Sequence, residues 1–187
     1  MVKKIKTCVF VSGNGSNLNA IIKSSKKKSF PIEIVLILSN NNKSNVIKLA
    51  KKNSIIYKYY SSKNKNKIEK KSLSIIKKNK IEFICLAGFM KKLSLKFIKS
   101  FGYKIINIHP SLLPKYKGLN THERVLKNNE KYSGCSVHYV DKNLDSGKVI
   151  MKKKVLIVKN ENVKSLQKKI LKQEHILYSK SILSIFK

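Results

Sequence analysis

The sequence predicts a doubly wound α/β fold: a mostly parallel sheet with helices on both faces, in a single domain over residues 1–187. Short apolar runs rich in Val, Ile and Phe alternate along the chain with longer segments of helical periodicity. The apolar runs are nearly continuous, which is typical of parallel strands that are covered on both faces. This alternation of strand and helix is the pattern that builds doubly wound sheets.

Each element follows from its own residue pattern. Strands are predicted at residues 7–12, 32–39, 55–59, 83–87 and 104–108, and helices between them at residues 17–28, 44–53, 67–79 and 94–101. In the second half, Thr121 is predicted to cap a short helix at residues 122–128. Strands at 134–140 and 149–158 follow, and a helix at 165–185 closes the chain. Its core-facing residues are predicted to be Leu166, Ile170, Leu177 and Leu183. We expect a phosphate-binding half, 1–103, and a catalytic half, 104–187, that includes this last helix.

Length and composition exclude several classes of protein. No apolar run approaches the roughly 20 residues that span a bilayer, and the short apolar stretch near the start is not that of a signal peptide. We therefore expect a cytoplasmic protein without a membrane partner. The three cysteines, Cys8, Cys85 and Cys135, are scattered, so neither a metal site nor a disulfide is expected.

The formal charge of +33 raises the question of whether the protein binds nucleic acid. The basic residues are nearly all lysine, with Arg124 the only arginine, and Asn and Ile are abundant beside them, as AT-rich codons produce. Base readout favours the arginine fork, and single-strand binding favours interleaved aromatic residues; neither pattern is present. We expect no specific nucleic-acid partner, although a basic binding module remains an alternative.

Ser-Gly-Asn-Gly-Ser-Asn, residues 12–17, lies between a predicted strand and a predicted helix. Glycines at this position let the backbone approach a ligand, and the start of the helix offers N–H groups to an anion. The segment matches neither the Walker loop nor the full GxGxxG pattern. It therefore predicts either a phosphate site or an ordinary chain reversal.

A second polar motif, Asn-Ile-His-Pro-Ser-Leu-Leu-Pro at residues 107–114, falls at the carboxyl end of a predicted parallel strand. Open α/β sheets bind their ligands at that edge. Strand alternation places Asn107 and His109 on one side, with Ile108 turned to the core. An amide donor beside an imidazole can stabilise an oxyanion and move a proton.

The segment Leu-Asp-Ser-Gly, residues 144–147, is typical of a turn. Acidic residues are few in this chain, and Asp145 could also orient and charge-stabilise an imidazole. His138 is a second candidate for the same site, ranked lower because strand histidines commonly have structural roles.

Taken together, four segments resemble the folate-dependent formyltransferases over nearly the whole chain, and within them the branch that acts on phosphoribosylglycinamide. They are residues 12–18, Leu-Ala-Gly-Phe-Met at 86–90, residues 107–118, and Gln-Glu-His at 173–175. The block at 107–114 resembles the whole family, whereas the loop at 12–17 and Thr121-His122 resemble the narrower branch. The resemblance implies a Rossmann-like domain. It also implies that 10-formyltetrahydrofolate, as cosubstrate, donates its formyl group to the amine of 5′-phosphoribosylglycinamide in de novo purine biosynthesis.

The resemblance also implies a role for individual residues. Asn107 and His109 would stabilise the tetrahedral oxyanion, with His109 the proton donor and Asp145 keeping that histidine charged. Glu174 would reach the glycinamide end of the substrate. The residues that would hold the ribose phosphate are Gly15, Ser16 and Asn17. Those that would contact the folate are Lys65, Met90, Lys91, Lys92, Leu93 and Asn107. Lys91 and Lys117 depart from the family, which usually has arginine and proline there.

Two related enzymes remain as alternatives. Methionyl-tRNA formyltransferase shares the catalytic domain and would use the positive charge, but it has a second domain and a different first loop. A formyltetrahydrofolate hydrolase would use similar residues with water as the acceptor. We expect small-molecule partners, and either a monomer or a homodimer.

Overall fold

The computed structural model describes residues 3–61 and 64–187. Seven strands and six helices are described. The strands are β1 (Ile5–Val11), β2 (Ile32–Ser39), β3 (Ile56–Tyr59), β4 (Phe83–Leu86), β5 (Ile105–His109), β6 (Tyr132–Tyr139) and β7 (Val149–Leu156). The helices are α1 (Ser16–Ser25), α2 (Ser44–Lys52), α3 (Lys65–Lys78), α4 (Leu95–Phe101), α5 (Thr121–Lys127) and α6 (Val163–Ile185). Among these described residues no helix is both long and apolar enough to cross a membrane.

The strands form one sheet in the order β3-β2-β1-β4-β5-β6-β7. β1 pairs in parallel with β2 and β4, β2 pairs in parallel with β3, and β6 and β7 form an antiparallel pair. The predicted α/β, Rossmann-like class with a mostly parallel sheet is therefore confirmed. By compactness the chain divides into two units, Met1–Ile106 and Asn107–Lys187. The expectation of a single domain stays a prediction.

The core of the first unit is built from apolar strands. β1 and β4 are buried along most or all of their length, as continuous apolar runs predict for parallel strands covered on both faces. Phe10 packs edge-to-face against Phe89 and Phe97, with ring centroids 5.2 and 5.9 Å apart. These aromatic contacts link β1 to the segment after β4 and to α4.

In the second unit, α6 packs against β6 and β7. Its core contacts come from Leu166, Ile170, Leu177 and Tyr178, which are buried. The helix begins with a capping box, in which the Asn162 side chain accepts from the Ser165 N–H and the Ser165 hydroxyl accepts from the Asn162 N–H. The long helix thus gives the strand pair β6–β7 its apolar cover.

Three predictions about local structure were wrong. Leu183 is 38% exposed, because it lies off the i, i+3, i+4 stripe of buried positions on α6, which runs through Leu177, Ser181 and Ile182. β3 is largely exposed, because it is the edge strand of the sheet. Thr121 does not cap α5: Asn120 is the N-cap with φ of 54°, and Thr121 is the first helical residue and is buried.

Candidate active site

The end of β5 carries the two side chains that the sequence singled out. Asn107 is half-buried and His109 is 5% exposed, with the buried Ile108 between them. Both polar side chains reach the same carboxylate: Asp145 lies 3.3 Å from Asn107 Nδ2 and 3.3 Å from His109 Nδ1. Strand alternation therefore places them on one side, and the three residues form a cluster within the second unit.

Both ring nitrogens of His109 face oxygen atoms that accept hydrogen bonds. Nε2 lies 2.8 Å from the backbone carbonyl oxygen of Tyr116, and Nδ1 faces Asp145 Oδ2. Because a carbonyl can only accept, the neutral ring carries its proton on Nε2. A second proton, on Nδ1, would turn the ring into an imidazolium that also donates to the carboxylate.

Asp145 is held in place by a closed turn between β6 and β7. Its φ of 47° is left-handed, and its Oδ2 accepts a 2.9 Å hydrogen bond from the Gly118 N–H. Asp141 closes the turn by accepting from the Asn143 N–H and the Ser146 hydroxyl. A Cβ at Gly147 would lie 1.9 Å from the Tyr139 carbonyl oxygen, so the turn closes only with glycine there. The segment is therefore both a turn and part of the cluster.

His138 of β6 is buried and also belongs to the cluster. Its Nδ1 donates to the Tyr139 carbonyl at 2.8 Å, so the neutral ring presents an unprotonated Nε2. That nitrogen lies 3.2 Å from Asn107 Nδ2 and 3.6 Å from Asp145 Oδ1. With Nε2 unprotonated, the ring accepts a hydrogen bond from the Asn107 amide. His138 therefore positions the Asn107 side chain in the site.

The loop after β5, residues 110–118, is anchored to the β6–β7 pair. The Ser136 hydroxyl donates to the Ser111 carbonyl at 2.7 Å and accepts from the Leu113 N–H at 3.0 Å. Lys152 Nζ donates to the Leu113 carbonyl. Gly134 lets Leu112 pack directly on β6, since a Cβ there would lie 2.7 Å from Leu112 Cδ2. These contacts fix the segment that carries the Tyr116 carbonyl.

Burial and charge act in opposite directions on the two central groups. Burial lowers the pKa of His109 below its ordinary value, and the Tyr116 carbonyl and the Asp145 carboxylate oppose that shift without cancelling it. For Asp145, burial is outweighed by the His138 ring, the His109 charge and the Gly118 N–H, so its pKa lies below the usual range. The carboxylate is thus ionised, and the imidazole can take up a proton that the carboxylate then stabilises.

The predicted phosphate loop lies in the first unit, between β1 and α1. Gly15 is the N-cap of α1 with φ of 81°, a left-handed conformation that favours glycine. A Cβ there would lie 3.1 Å from Val46 Cγ2, so the loop and α2 approach closely. Asn45 Nδ2 also donates to the Asn14 carbonyl at 2.7 Å. The start of α1 is therefore rigidly presented, as anion binding at a helix N-terminus requires.

Ser12 joins this loop to the predicted folate segment, residues 90–93. The Ser12 hydroxyl accepts from the Met90 N–H at 2.9 Å, and the Ser12 N–H donates to the Gly88 carbonyl at 3.1 Å. Met90 is 68% exposed, whereas Leu93 is buried in the first unit. Lys91 and Lys92 are exposed. The exposed residues are free to meet a ligand, while their folate role stays a prediction.

Glu69 holds the same segment from α3. Its carboxylate accepts from the Ser94 N–H at 2.8 Å and from the Ser94 hydroxyl, at the N-cap of α4. Lys65, also predicted to contact folate, lies 3.9 Å from Glu69. This pairing places Lys65 in the same network as Ser94, the residue that follows 90–93.

Glu174 is buried on α6. Burial, with a further contribution from the Glu174 charge, raises the pKa of the Cys135 thiol to about 12. Cys135 is consequently an unreactive core residue, and Cys8 and Cys85 are buried and free as well. The substrate role of Glu174 stays a prediction.

Sequence reasoning missed the backbone partners of the cluster. The Tyr116 carbonyl, the Gly118 N–H and the Ser136 hydroxyl contact or anchor it, yet neither carbonyls nor turn N–H groups leave a signal in side-chain patterns. Burial, with a further contribution from the charge of His109, lowers the pKa of His122 in α5. Across residues 3–61 and 64–187, no group of three His, Cys, Asp or Glu side chains could hold a metal ion.

Comparison with known proteins identifies the family of this chain. The model of the formyl transferase family matches residues 5–182. The phosphoribosylglycinamide formyltransferase of Haemophilus influenzae is 34% identical over 92% of this chain and 83% of its own length. The crystal structure of the Campylobacter jejuni enzyme of the same name has a TM-score of 0.91 at 33% identity, covering 100% of both chains.

The chain is also 38% identical, over 97% of its length, to the trifunctional purine biosynthetic protein adenosine-3 of Chironomus tentans. It spans only 14% of that relative. The chain belongs to the formyl transferase family. Within that family, it is similar to the phosphoribosylglycinamide formyltransferases over nearly its whole length.

Proposed function

We propose that this chain transfers the formyl group of 10-formyltetrahydrofolate to the amine of 5′-phosphoribosylglycinamide, a step of de novo purine biosynthesis. The observation that carries the proposal is the cluster of Asn107, His109 and Asp145 at the end of β5, in a chain that matches formyl transferases from residue 5 to 182. An imidazole, an amide donor and an ionised carboxylate are the groups that formyl transfer to an amine requires.

The chemistry needs two kinds of assistance. Attack of the amine on the formyl carbon turns the carbonyl oxygen into an oxyanion and the amine into an ammonium. Collapse then breaks the bond to the folate nitrogen, which must gain a proton as the new amide loses one. The site therefore has to donate hydrogen bonds to oxygen and carry one proton from nitrogen to nitrogen.

Two donors serve the oxyanion. The Nε2–H of His109 can turn from the Tyr116 carbonyl to the substrate oxygen, and Asn107 Nδ2 can redirect one of its two hydrogens. The contacts of Asn107 in the free protein, at 3.2 and 3.3 Å, are long and are readily exchanged for a stronger charge-assisted bond. Both donors are positioned in advance, so little reorganisation is needed at the moment of reaction.

The proton is handled by His109 and Asp145. Burial lowers the pKa of His109, so the ring is available in its neutral form. Once Nε2 turns from the Tyr116 carbonyl to the substrate, the ring proton can lie on Nδ1, toward Asp145, and Nε2 accepts the proton that the ammonium releases. The imidazolium formed donates from Nδ1 to the Asp145 carboxylate, 3.3 Å away, and from Nε2 to the oxyanion, until the Nε2 proton passes to the leaving nitrogen. Asp145 stabilises the charged ring in this role, as the acid of a catalytic triad does.

Substrate binding is proposed for the loops of the first unit and for Glu174. The start of α1, with Gly15, Ser16 and Asn17, would hold the phosphate, supported by the left-handed Gly15 and its packing on α2. Residues 90–93 and Lys65 would hold the folate, supported by the network of Ser12, Glu69 and Ser94. Glu174 would face the glycinamide end. No metal enters the proposed reaction, and the protein is proposed to work in the cytoplasm as a monomer or homodimer.

An acceptor assay tests the proposal. The purified chain is supplied with 10-formyltetrahydrofolate and with phosphoribosylglycinamide, methionyl-tRNA or water alone as acceptor, and tetrahydrofolate release is followed. We expect rapid release with phosphoribosylglycinamide only. Equal release with water alone would make the chain a hydrolase, and release with methionyl-tRNA would assign it to the other formyltransferase branch.

A further inference from the structure

The loop that carries the Tyr116 carbonyl has an unusual backbone. Tyr116, Gly118 and Asn120 have left-handed φ values of 56°, 81° and 54°. Glycine and asparagine adopt this conformation readily, whereas a tyrosine does so rarely. A bulky residue stays left-handed only where its surroundings hold it there, and such positions are concentrated at functional sites. Contacts of the Tyr116 side chain are therefore expected to hold this conformation.

The Tyr116 side chain is held by three residues from α5 and the segment that follows it. Its hydroxyl donates to Glu130 Oε1 at 2.8 Å and accepts from Asn128 Nδ2 at 2.9 Å. The guanidinium carbon of Arg124 lies 5.4 Å from the centroid of the tyrosine ring. Glu130 Oε1 also accepts from Lys115 Nζ at 2.8 Å, so one carboxylate holds two successive loop residues. Arg124, Asn128 and Glu130 together form a tyrosine clamp.

Arg124 holds the backbone of the same loop. Its Nη1 donates to the Lys117 carbonyl at 2.7 Å and to the Leu119 carbonyl at 3.4 Å. These carbonyls belong to the two neighbours of Gly118, whose N–H donates to Asp145. The tyrosine clamp therefore acts on the loop through a side chain and through the backbone.

The clamped loop contacts both His109 and Asp145. The Tyr116 carbonyl lies 2.8 Å from His109 Nε2, and the Gly118 N–H donates at 2.9 Å to the Asp145 oxygen that faces His109 Nδ1 at 3.3 Å. A neutral imidazole has one N–H proton, so the carbonyl and the carboxylate compete for it. The shorter contact, to the carbonyl, favours the proton on Nε2. If the carbonyl is displaced, the carboxylate draws the proton to Nδ1.

We propose that Tyr116 and its clamp are positioning residues that set the tautomer of His109. The clamp holds the Tyr116 carbonyl against Nε2 and the Gly118 N–H against Asp145, so one loop aligns both groups. The consequence for catalysis rests on the function proposed above, whereas the tautomer is a property of the free protein. The two parts of the proposal can therefore be measured separately.

The test follows the imidazole nitrogen resonances of His109 by NMR, in the full chain without substrate, at a pH where the ring is neutral. In the original chain, Nε2 should be the protonated nitrogen. Tyr116→Phe keeps the ring and removes the hydroxyl contacts with Glu130 and Asn128. We expect the ratio of the Nδ1–H form to the Nε2–H form to rise about threefold or more, as the loss of one hydrogen bond predicts.

Tyr132→Phe is the matched control, because it removes a hydroxyl from the same unit and keeps the ring. Tyr132 lies in β6, and its ring contacts are to the ammonium groups of Lys131 and Lys154. The tautomer ratio of His109 should stay as it is in the original chain. General loosening of the second unit would change the ratio in both tyrosine variants.

Arg124→Lys separates support from charge. Beside burial, the Arg124 charge lowers the pKa of His109, and lysine retains that charge. Lysine lacks the planar group that lies over the Tyr116 ring. The variant should therefore shift the tautomers in the same direction as Tyr116→Phe.

Kinetics tests the consequence for the proposed reaction. In Tyr116→Phe and Arg124→Lys, kcat should fall about tenfold while both KM values stay nearly unchanged, because misalignment of His109 and Asp145 acts on the chemical step. Tyr132→Phe should keep the original kcat.

Three results would overturn the proposal. An unprotonated Nε2 in the original chain, or an unchanged tautomer ratio in Tyr116→Phe and Arg124→Lys, would show that the clamp does not set the tautomer. An equal shift in Tyr132→Phe would reduce the effect to general loosening. A shifted ratio with an unchanged kcat would refute the consequence for catalysis. If the original chain transfers no formyl group yet shows the expected shifts, the proposed function fails and the positioning role stands.

Discussion

Two oxygen atoms that accept hydrogen bonds, the Tyr116 carbonyl and an Asp145 carboxylate oxygen, face the ring nitrogens of His109. Burial disfavours the charged ring, and these two oxygens favour it. The balance leaves the pKa of His109 below its ordinary value, so the ring is mainly neutral at neutral pH. Such a histidine accepts a proton in one step and returns it in the next.

Removal of the carboxylate tests this balance. Asp145→Asn should lower the pKa of His109 further, because a close opposite charge is lost. The His109 resonance is followed by NMR from acid to neutral pH in the original chain and in the variant. Asp141→Asn is the control, since it removes a carboxylate from the same turn and keeps the oxygen that closes it. A raised or unchanged pKa in Asp145→Asn would show that the carboxylate does not act on the ring.

Gly15 tests the phosphate loop. Gly15→Ala places a side chain at φ of 81° and 3.1 Å from Val46, so the start of α1 must shift. The KM for phosphoribosylglycinamide should rise about tenfold, as the loss of one to two charge-assisted hydrogen bonds predicts, while the KM for the folate changes little. Steady-state kinetics with each substrate varied in turn measures both.

Gly102→Ala is the matched control for this substitution. Gly102 also has a left-handed φ, 74°, but it ends α4, and its nearest neighbour lies 4.0 Å from the added Cβ. Its substitution should cost similar backbone strain and leave both KM values as they were. If Gly15→Ala weakens both substrates equally, the loop is only structural.

At the scale of secondary-structure elements, the turn between β6 and β7 determines where Asp145 lies. Gly147→Ala would put a Cβ 1.9 Å from the Tyr139 carbonyl oxygen, so the turn has to open. We expect a loss of about 1–3 kcal/mol in the free energy of unfolding, together with a reduced kcat, because overpacking displaces the backbone. Urea denaturation measures the first quantity. Gly13→Ala, whose Cβ meets no atom of the described residues within 4 Å, should leave stability unchanged. Full stability in Gly147→Ala would show that the turn tolerates a side chain.

The strands could be predicted from the sequence because buried parallel strands are continuous apolar runs. β2 has the predicted bounds, and β5 differs from its prediction by one residue at each end. The exposure of β3 depends on the strand order, which makes it an edge, and Lys58 is the one sign of that exposure in the strand's own residues. The capping of α5 by Asn120 depends on a left-handed φ that the sequence Asn-Thr does not specify.

In the candidate site as well, some residues could be predicted from the sequence and others could not. Asn107 and His109 were found because two polar residues two apart at a strand end share a side, and Asp145 because acids are few in this chain. The hydrogen bonds of Tyr116, Gly118 and Ser136 come from backbone groups and from a serine that any strand could carry. Such partners become visible only once the loop and the strand pair are folded together.

For the whole molecule, the charge of +33 has a direct consequence. Binding to DNA or RNA should be independent of sequence and collapse as salt rises, because it depends on counterion release alone. Fluorescence anisotropy with two unrelated oligonucleotides, at about 50 and 200 mM salt, measures this. Sequence-selective binding that survives the higher salt would instead favour a nucleic-acid-binding function.

The central claim is that His109 and Asp145 act as one catalytic unit. The most direct measurement is kcat for His109→Ala, Asp145→Ala and the double variant, with Asp141→Asn as the control from the same turn. Each single variant should lose about 10²–10³ in kcat with little change in substrate binding, since oxyanion and proton assistance act in the transition state. The double variant should be little worse than the poorer single variant. Fully multiplicative losses would show that the two residues act independently, and an unchanged kcat in either single variant would remove that residue from the mechanism.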